Sequence, residues 1–206
     1  MEVDNLALFC ADVGSIKQGN FGWAAKLPGE IDLSGTDIDK FAREIANQLQ
    51  QKNKVALGYE CPLFVPVRND PISVNSSRNG EGSRSWSAGA GTGALATGLV
   101  EVIYVFNQLS VLLETKPPIT FDWSTFEQTS SIFLWEAFVI STSKGKDHAD
   151  DAKIAISKFI SALPAPFAIN AIQESDVFSL IGGAALRTGW SDDIAVLQQP
   201  CLVIKA

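Results

Sequence analysis

The sequence predicts an α/β domain on a mixed sheet, and three observations point there. Short apolar runs of the kind that form strands buried on both faces recur at residues 6–11, 55–59 and 132–140. Between and after them lie helical patterns at 36–52 and 149–163. Before residue 36, the candidate strands follow one another through turns too short for a parallel crossover, so the chain opens as an antiparallel meander. The expected architecture is one domain over residues 1–206: a five-stranded mixed sheet, helices on both faces and a C-terminal helix-strand extension.

Residues 6–11 run without a break in apolarity and stop at Asp12-Val13-Gly14-Ser15. A turn, Lys17-Gln18-Gly19-Asn20, returns the chain into 21–27, and 30–33 alternates as a third strand. The helix at 36–52 opens on Thr36 with Asp39 three residues on, which reads as its cap, and turns Ile38, Phe41, Ala42, Ile45 and Leu49 to one side. Residues 55–59 form the fourth strand and end at Glu60-Cys61-Pro62.

Residues 66–93 are rich in Gly, Ser, Asn and Pro and carry Arg68, Arg78 and Arg84; a loop of that length in a compact domain is functional or mobile, and is expected to wall a cleft. A long apolar helix over 94–113 contains Glu101, Asn107 and Gln108, a polar load that fits a buried helix better than a membrane span. The strand at 132–140 holds one acid, Glu136, and the helix at 149–163 turns Ala152, Ala155, Ile156, Phe159, Ile160 and Leu163 inward. A helix near 178–186 and a strand at 201–205 close the chain.

Composition narrows function. With 46% hydrophobic residues the chain can bury a core, and a net charge of −7 argues against a broad basic surface for duplex nucleic acid while leaving room for a local basic cleft. Cys10, Cys61 and Cys201 sit in apolar runs and read as buried free thiols of a reducing compartment. The N-terminus lacks the basic and apolar regions of a signal peptide, so a cytoplasmic protein without a membrane partner is expected.

Four carboxylates fall at special places. Asp12 ends the first strand, Glu60 ends the fourth and Glu136 interrupts the fifth; Asp151 opens the following helix, with His148 three residues earlier on the same face. If the strands ending at Asp12 and Glu60 are parallel neighbours, their acids meet at the carboxyl edge, where open α/β sheets bind ligands. Acids so crowded repel one another, and a divalent cation relieves them. Oxygen ligands without sulfur suit magnesium or manganese. Each residue also has a plain structural account: Asp12 as a turn acid, Glu60 as a solvated strand end, Asp151 as a charge at a helix N-terminus. The Gly-rich run 87–93 reads as close helix packing ahead of a phosphate cradle, since it matches neither glycine-loop pattern.

With Asp12 in LALFCADVGS, Glu60 in VALGYECPL, and His148, Asp151 and Ala152 in HADDA, the chain resembles the ribonuclease H-like superfamily, nearest to RuvC-like resolvases and related predicted bacterial nucleases. The likeness spans roughly residues 5–163. It implies a metal-dependent phosphodiesterase acting on nucleic acid. Asp12, Glu60, Glu136 and Asp151 would hold Mg2+ or Mn2+, His148 would move a proton or contact phosphate, and Lys17, Arg78 and Arg84 would grip the substrate. Two alternatives stay open: an inactive scaffold of the same fold that binds a protein partner or a second copy of itself, and an actin-like nucleotide-binding module. The second would need a further Asp-x-Gly strand that the sequence lacks.

Overall fold

The computed structural model describes residues 5–29, 31–82, 85–140 and 142–206. Strands β1 (Leu6–Asp12), β2 (Gly22–Leu27) and β3 (Ile31–Gly35) form the opening meander, followed by helix α1 (Ile38–Gln50) and strand β4 (Lys54–Glu60). After a short strand β5 (Phe64–Pro66) and a long irregular segment comes helix α2 (Ala90–Leu112). Then follow β6 (Ile119–Thr120), α3 (Trp123–Gln128), β7 (Ile132–Phe138), α4 (His148–Ser161), β8 (Val177–Ser179), α5 (Leu180–Arg187) and β9 (Leu202–Lys205).

The fold is α/β with a mixed sheet of seven strands in the order β3-β2-β1-β4-β7-β6, and β9 also pairs with β7. The expectation of five strands is therefore corrected. The five expected from the early runs are contiguous in it, from the edge strand β3 to β7, and β6 and β9 share the outer edge of β7, β6 along Ile132–Phe133 and β9 along Trp135–Phe138. Strand β1 pairs antiparallel with β2 and parallel with β4, which pairs parallel with β7. A separate two-stranded sheet joins β5 to β8.

Two hydrophobic clusters line the two faces, as the period-two alternation of the strands requires. Ala7, Phe9, Ala11, Val55, Leu57, Tyr59, Ile132 and Leu134 point to the side covered by α1, α2 and α5. Leu6, Leu8, Cys10, Ala56, Phe133 and Trp135 point to the side covered by α3 and α4. On the first face the Phe41 ring of α1 lies within 6.3 Å of four aromatic rings, those of Phe9, Phe21, Trp23 and Tyr59. On the second, the Trp135 indole lies over Gly58, where an added β-carbon would come within 2.3 Å of the ring.

Local details differ from expectation for physical reasons. The cap of α1 is Asp37 rather than Thr36: its carboxylate accepts from the backbone N–H of both Asp39 and Lys40. Helix α2 starts at Ala90, because small residues pack closely enough to extend it: Gly91 lies against the Ser85 carbonyl and Gly98 against the Cys61 side chain. Among the described residues α2 is the one helix long and apolar enough to cross a membrane; it packs on α1 and α5 and buries Glu101. All three cysteines are buried and unpaired.

Phe41 fixes how α1 seats on the sheet. Phe41→Ala is expected to cost about 3–5 kcal/mol of unfolding free energy by urea titration, through the cavity left among the four rings.

Candidate metal centre

The site begins with a register. Strands β1 and β4 pair so that Asp12 lies opposite Glu60, and both belong to the alternate positions that face α4. Helix α4 then supplies two more groups. Asp147 caps it by accepting from the Asp150 N–H, which fixes His148 as the first helical residue and sets Asp151 one turn on, on the same face. Gly22, paired with Asp12 across β2, allows this approach: a β-carbon there would fall 2.4 Å from the Ala149 nitrogen.

The result is a tight group. One carboxylate oxygen from each of Asp12, Glu60 and Asp151 lies within 4.8 Å of the others. Asp12 is 5% exposed and Asp151 4%. The His148 Nδ1 lies 2.5 Å from Asp12 Oδ2. The Lys144 ammonium donates to Asp151 Oδ2 at 3.0 Å, and the Gly145 N–H donates to Oδ1. Glu60 Oε2 is buried and without a hydrogen-bond partner among the described residues.

Electrostatics follow from crowding. Burial, reinforced by the Asp151 charge and opposed by Lys144, pushes the Asp12 carboxyl up to about 7. Burial, with the Asp12 and Asp151 charges adding and Lys144 opposing, pushes the Glu60 carboxyl up to about 8. A buried acid raised by its neighbours is relieved by a cation, so the donor set fits a divalent ion bound by oxygen.

Beside the acids opens a cavity of about 560 Å³, lined by Asp12, Glu60, Lys144 and His148 on one side and by Trp86 and the Gly89–Gly93 turn into α2 on the other. The long segment after β5 does wall this cleft, and it is tied down. Arg68 forms a two-pronged pair with Glu174, at 2.6 and 2.8 Å, and the Trp86 indole donates to the Ser76 carbonyl.

Two expected site residues are corrected by this geometry. Glu136 is not with the other acids, because it alternates with Ile132 and Leu134 and so leaves the sheet on the opposite face, beside Tyr59 in the register. There its carboxylate takes a two-pronged bond from Arg78, at 2.6 and 2.8 Å, and the Leu63 N–H. Arg78 is correspondingly unavailable as a substrate grip. It is buried between Glu136 and Glu81, with its guanidinium over the Phe64 ring. Burial alone would lower its pKa; the Glu136 carboxylate outweighs that and holds it protonated. Lys17 is exposed on the turn after β1 and does not line the cavity. Arg84 lies outside the described residues.

Two residues of the site were not singled out from the sequence. Lys144 lies in a polar turn whose composition gives no sign that its ammonium folds back onto Asp151. Glu101 had a signal, as the one charged residue of a 23-residue apolar helix. It is buried, and burial, with the Asp12 charge adding, pushes its carboxyl up to about 7. Comparison with protein-family models, with curated proteins and with solved structures finds no match.

These shifts set a pH dependence. In the unfolded chain Asp12 and Glu60 ionise near pH 4; folded, they do so near 7 and 8. Their contribution to stability is therefore full below about pH 4 and is lost as pH rises through 7 and 8. In chelator, urea unfolding at pH 5.5 and 8.5 should differ by at least about 2 kcal/mol in favour of the lower pH, and Asp12→Asn should reduce that difference.

Proposed function

We propose that the chain is a divalent-metal-dependent phosphodiesterase that cleaves nucleic acid on a ribonuclease H-like scaffold. The observation that carries this reading is the convergence of Asp12, Glu60 and Asp151 at one sheet edge, with a buried oxygen of Glu60 left unpartnered beside an open cavity. The order of elements, and the parallel pairing of the strand ending at Asp12 with the one ending at Glu60, support the scaffold part of it.

Asp12, Glu60 and Asp151 would hold magnesium or manganese, hard ions that take carboxylate oxygens. Such an ion supplies Lewis-acid stabilisation of phosphoryl oxygens and a water of lowered pKa. The protein's own groups do the rest. Asp12 bonds the Nδ1 side of His148 and so orients the ring, which lines the cavity, and Nε2 would be the nitrogen left to move a proton. The Gly145 N–H fixes the Asp151 carboxylate from behind. With Arg78 committed to Glu136, positive charge at the cavity comes from Lys144, and Lys17 stands on the turn that follows β1. Local contacts of this kind suit a short single-stranded or branched substrate better than a long duplex, given the net charge of −7.

A second reading, a scaffold without chemistry that binds a protein partner or a second copy, rests on one observation: both oxygens of Asp151 already have donors, in Lys144 and Gly145.

The test is purified protein with manganese against single-stranded, duplex and branched DNA and RNA, run beside Asp12→Asn. Manganese-dependent cleavage that falls about a hundredfold or more in the variant is expected. Equal cleavage by both proteins, or none by either, contradicts the proposal.

A further inference from the structure

We propose that Lys144 is a resident cation: its ammonium occupies the divalent-ion position on Asp151 in the metal-free protein and is released into the cavity when an ion binds. The inference rests on the metal reading above and assigns this chain a residue that links ion binding to substrate binding.

The geometry separates a fixed part from a movable one. The backbone around residue 145 is pressed onto the start of α4, where a β-carbon on Gly145 would come within 2.4 Å of Asp150 Cβ. Asp151 Oδ1 is held by that backbone through the Gly145 N–H, and Oδ2, among the described residues, by the Lys144 side chain. The Lys144 side chain is 41% exposed although its carboxylate partner is almost fully buried, so the stem reaches into the site from the solvent side. Its charge acts on Asp12 and Glu60 as well as on Asp151, which makes it the counter-ion of the whole group.

An ammonium and a divalent ion cannot share that position. An ion at about 2.0–2.1 Å from Asp151 Oδ2 would stand within a few ångströms of Nζ, and two cations that close repel strongly where water is scarce. The backbone cannot move without breaking the Gly145 contact, whereas the flexible four-carbon stem can swing. Lys144 lines the cavity, so the displaced ammonium remains there. Arg78 and Lys144 are the described Lys and Arg side chains lining it, and Arg78 is committed to Glu136. Ion binding thus delivers to the cavity a positive charge suited to a substrate phosphate, and an ion-free site withholds it.

Manganese binding, followed by the electron paramagnetic resonance of the free ion, separates this from a purely structural ion pair. Lys144→Gln and Lys144→Met are expected to bind manganese at least about tenfold tighter than wild type, ~1.4 kcal/mol, and Lys144→Arg to stay near wild type. In the wild-type protein, saturation with manganese should raise acylation of Lys144 by an amine-reactive reagent severalfold relative to Lys153, which pairs with Asp150 on the same helix. Equal or weaker binding by both neutral variants, or no change in Lys144 labelling while manganese binds, overturns the inference and leaves the metal reading standing. No manganese binding by wild type or by any variant overturns both.

Discussion

The parallel pairing of β1 with β4 brings Asp12 and Glu60 side by side at the buried end of two central strands, and this forced proximity governs the rest of the site. Two carboxylates that close cannot both ionise in a dry environment without a compensating cation. The surrounding structure is arranged around that cost. Helix α4 leans in over Gly22 and brings His148 to Asp12, and the turn before it folds the Lys144 ammonium onto Asp151. What compensation remains incomplete shows in the raised Asp12 and Glu60 carboxyls and in the unpartnered Glu60 oxygen.

On the other face of the sheet a second buried charge group does structural work. Arg78 is clamped between Glu136 and Glu81, each side chain about 1% exposed, and it links the irregular segment after β5 to the middle of β7. One partner removed from such a group leaves a buried charge uncompensated, which is far costlier than the intact group is stabilising. This anchor shapes the cavity wall: Glu81 also accepts from the Trp86 N–H, a few residues before the Gly89 turn that starts α2. The two charge groups sit on opposite faces of one sheet and meet at a single cleft.

Much of this was legible in the residues, and the reason is periodicity. The runs ending at Asp12 and Glu60 are apolar on both faces, so they read as central strands, and the His148–Asp151 spacing reads as one helical face. Parity was legible too and would have moved Glu136: it lies two residues from Leu134 and pairs beside Tyr59, both on the face away from α4. The short elements β5, β6, β8 and α3 were not legible, since two to six residues carry too little pattern and depend on partners distant in the chain. The same holds for Arg78, whose burial is set by an acid 58 residues on, and for Lys144, where a flexible side chain in a polar turn finds its place only after α4 has docked.

The claim on which the account depends is that Asp12, Glu60 and Asp151 share an ion. A crystal grown with manganese, measured for anomalous scattering, tests it most directly. The account requires a peak bonded to carboxylate oxygens of all three residues, with the Lys144 ammonium withdrawn from Asp151. A manganese-saturated crystal with no peak there, and Lys144 still on Asp151, would contradict it.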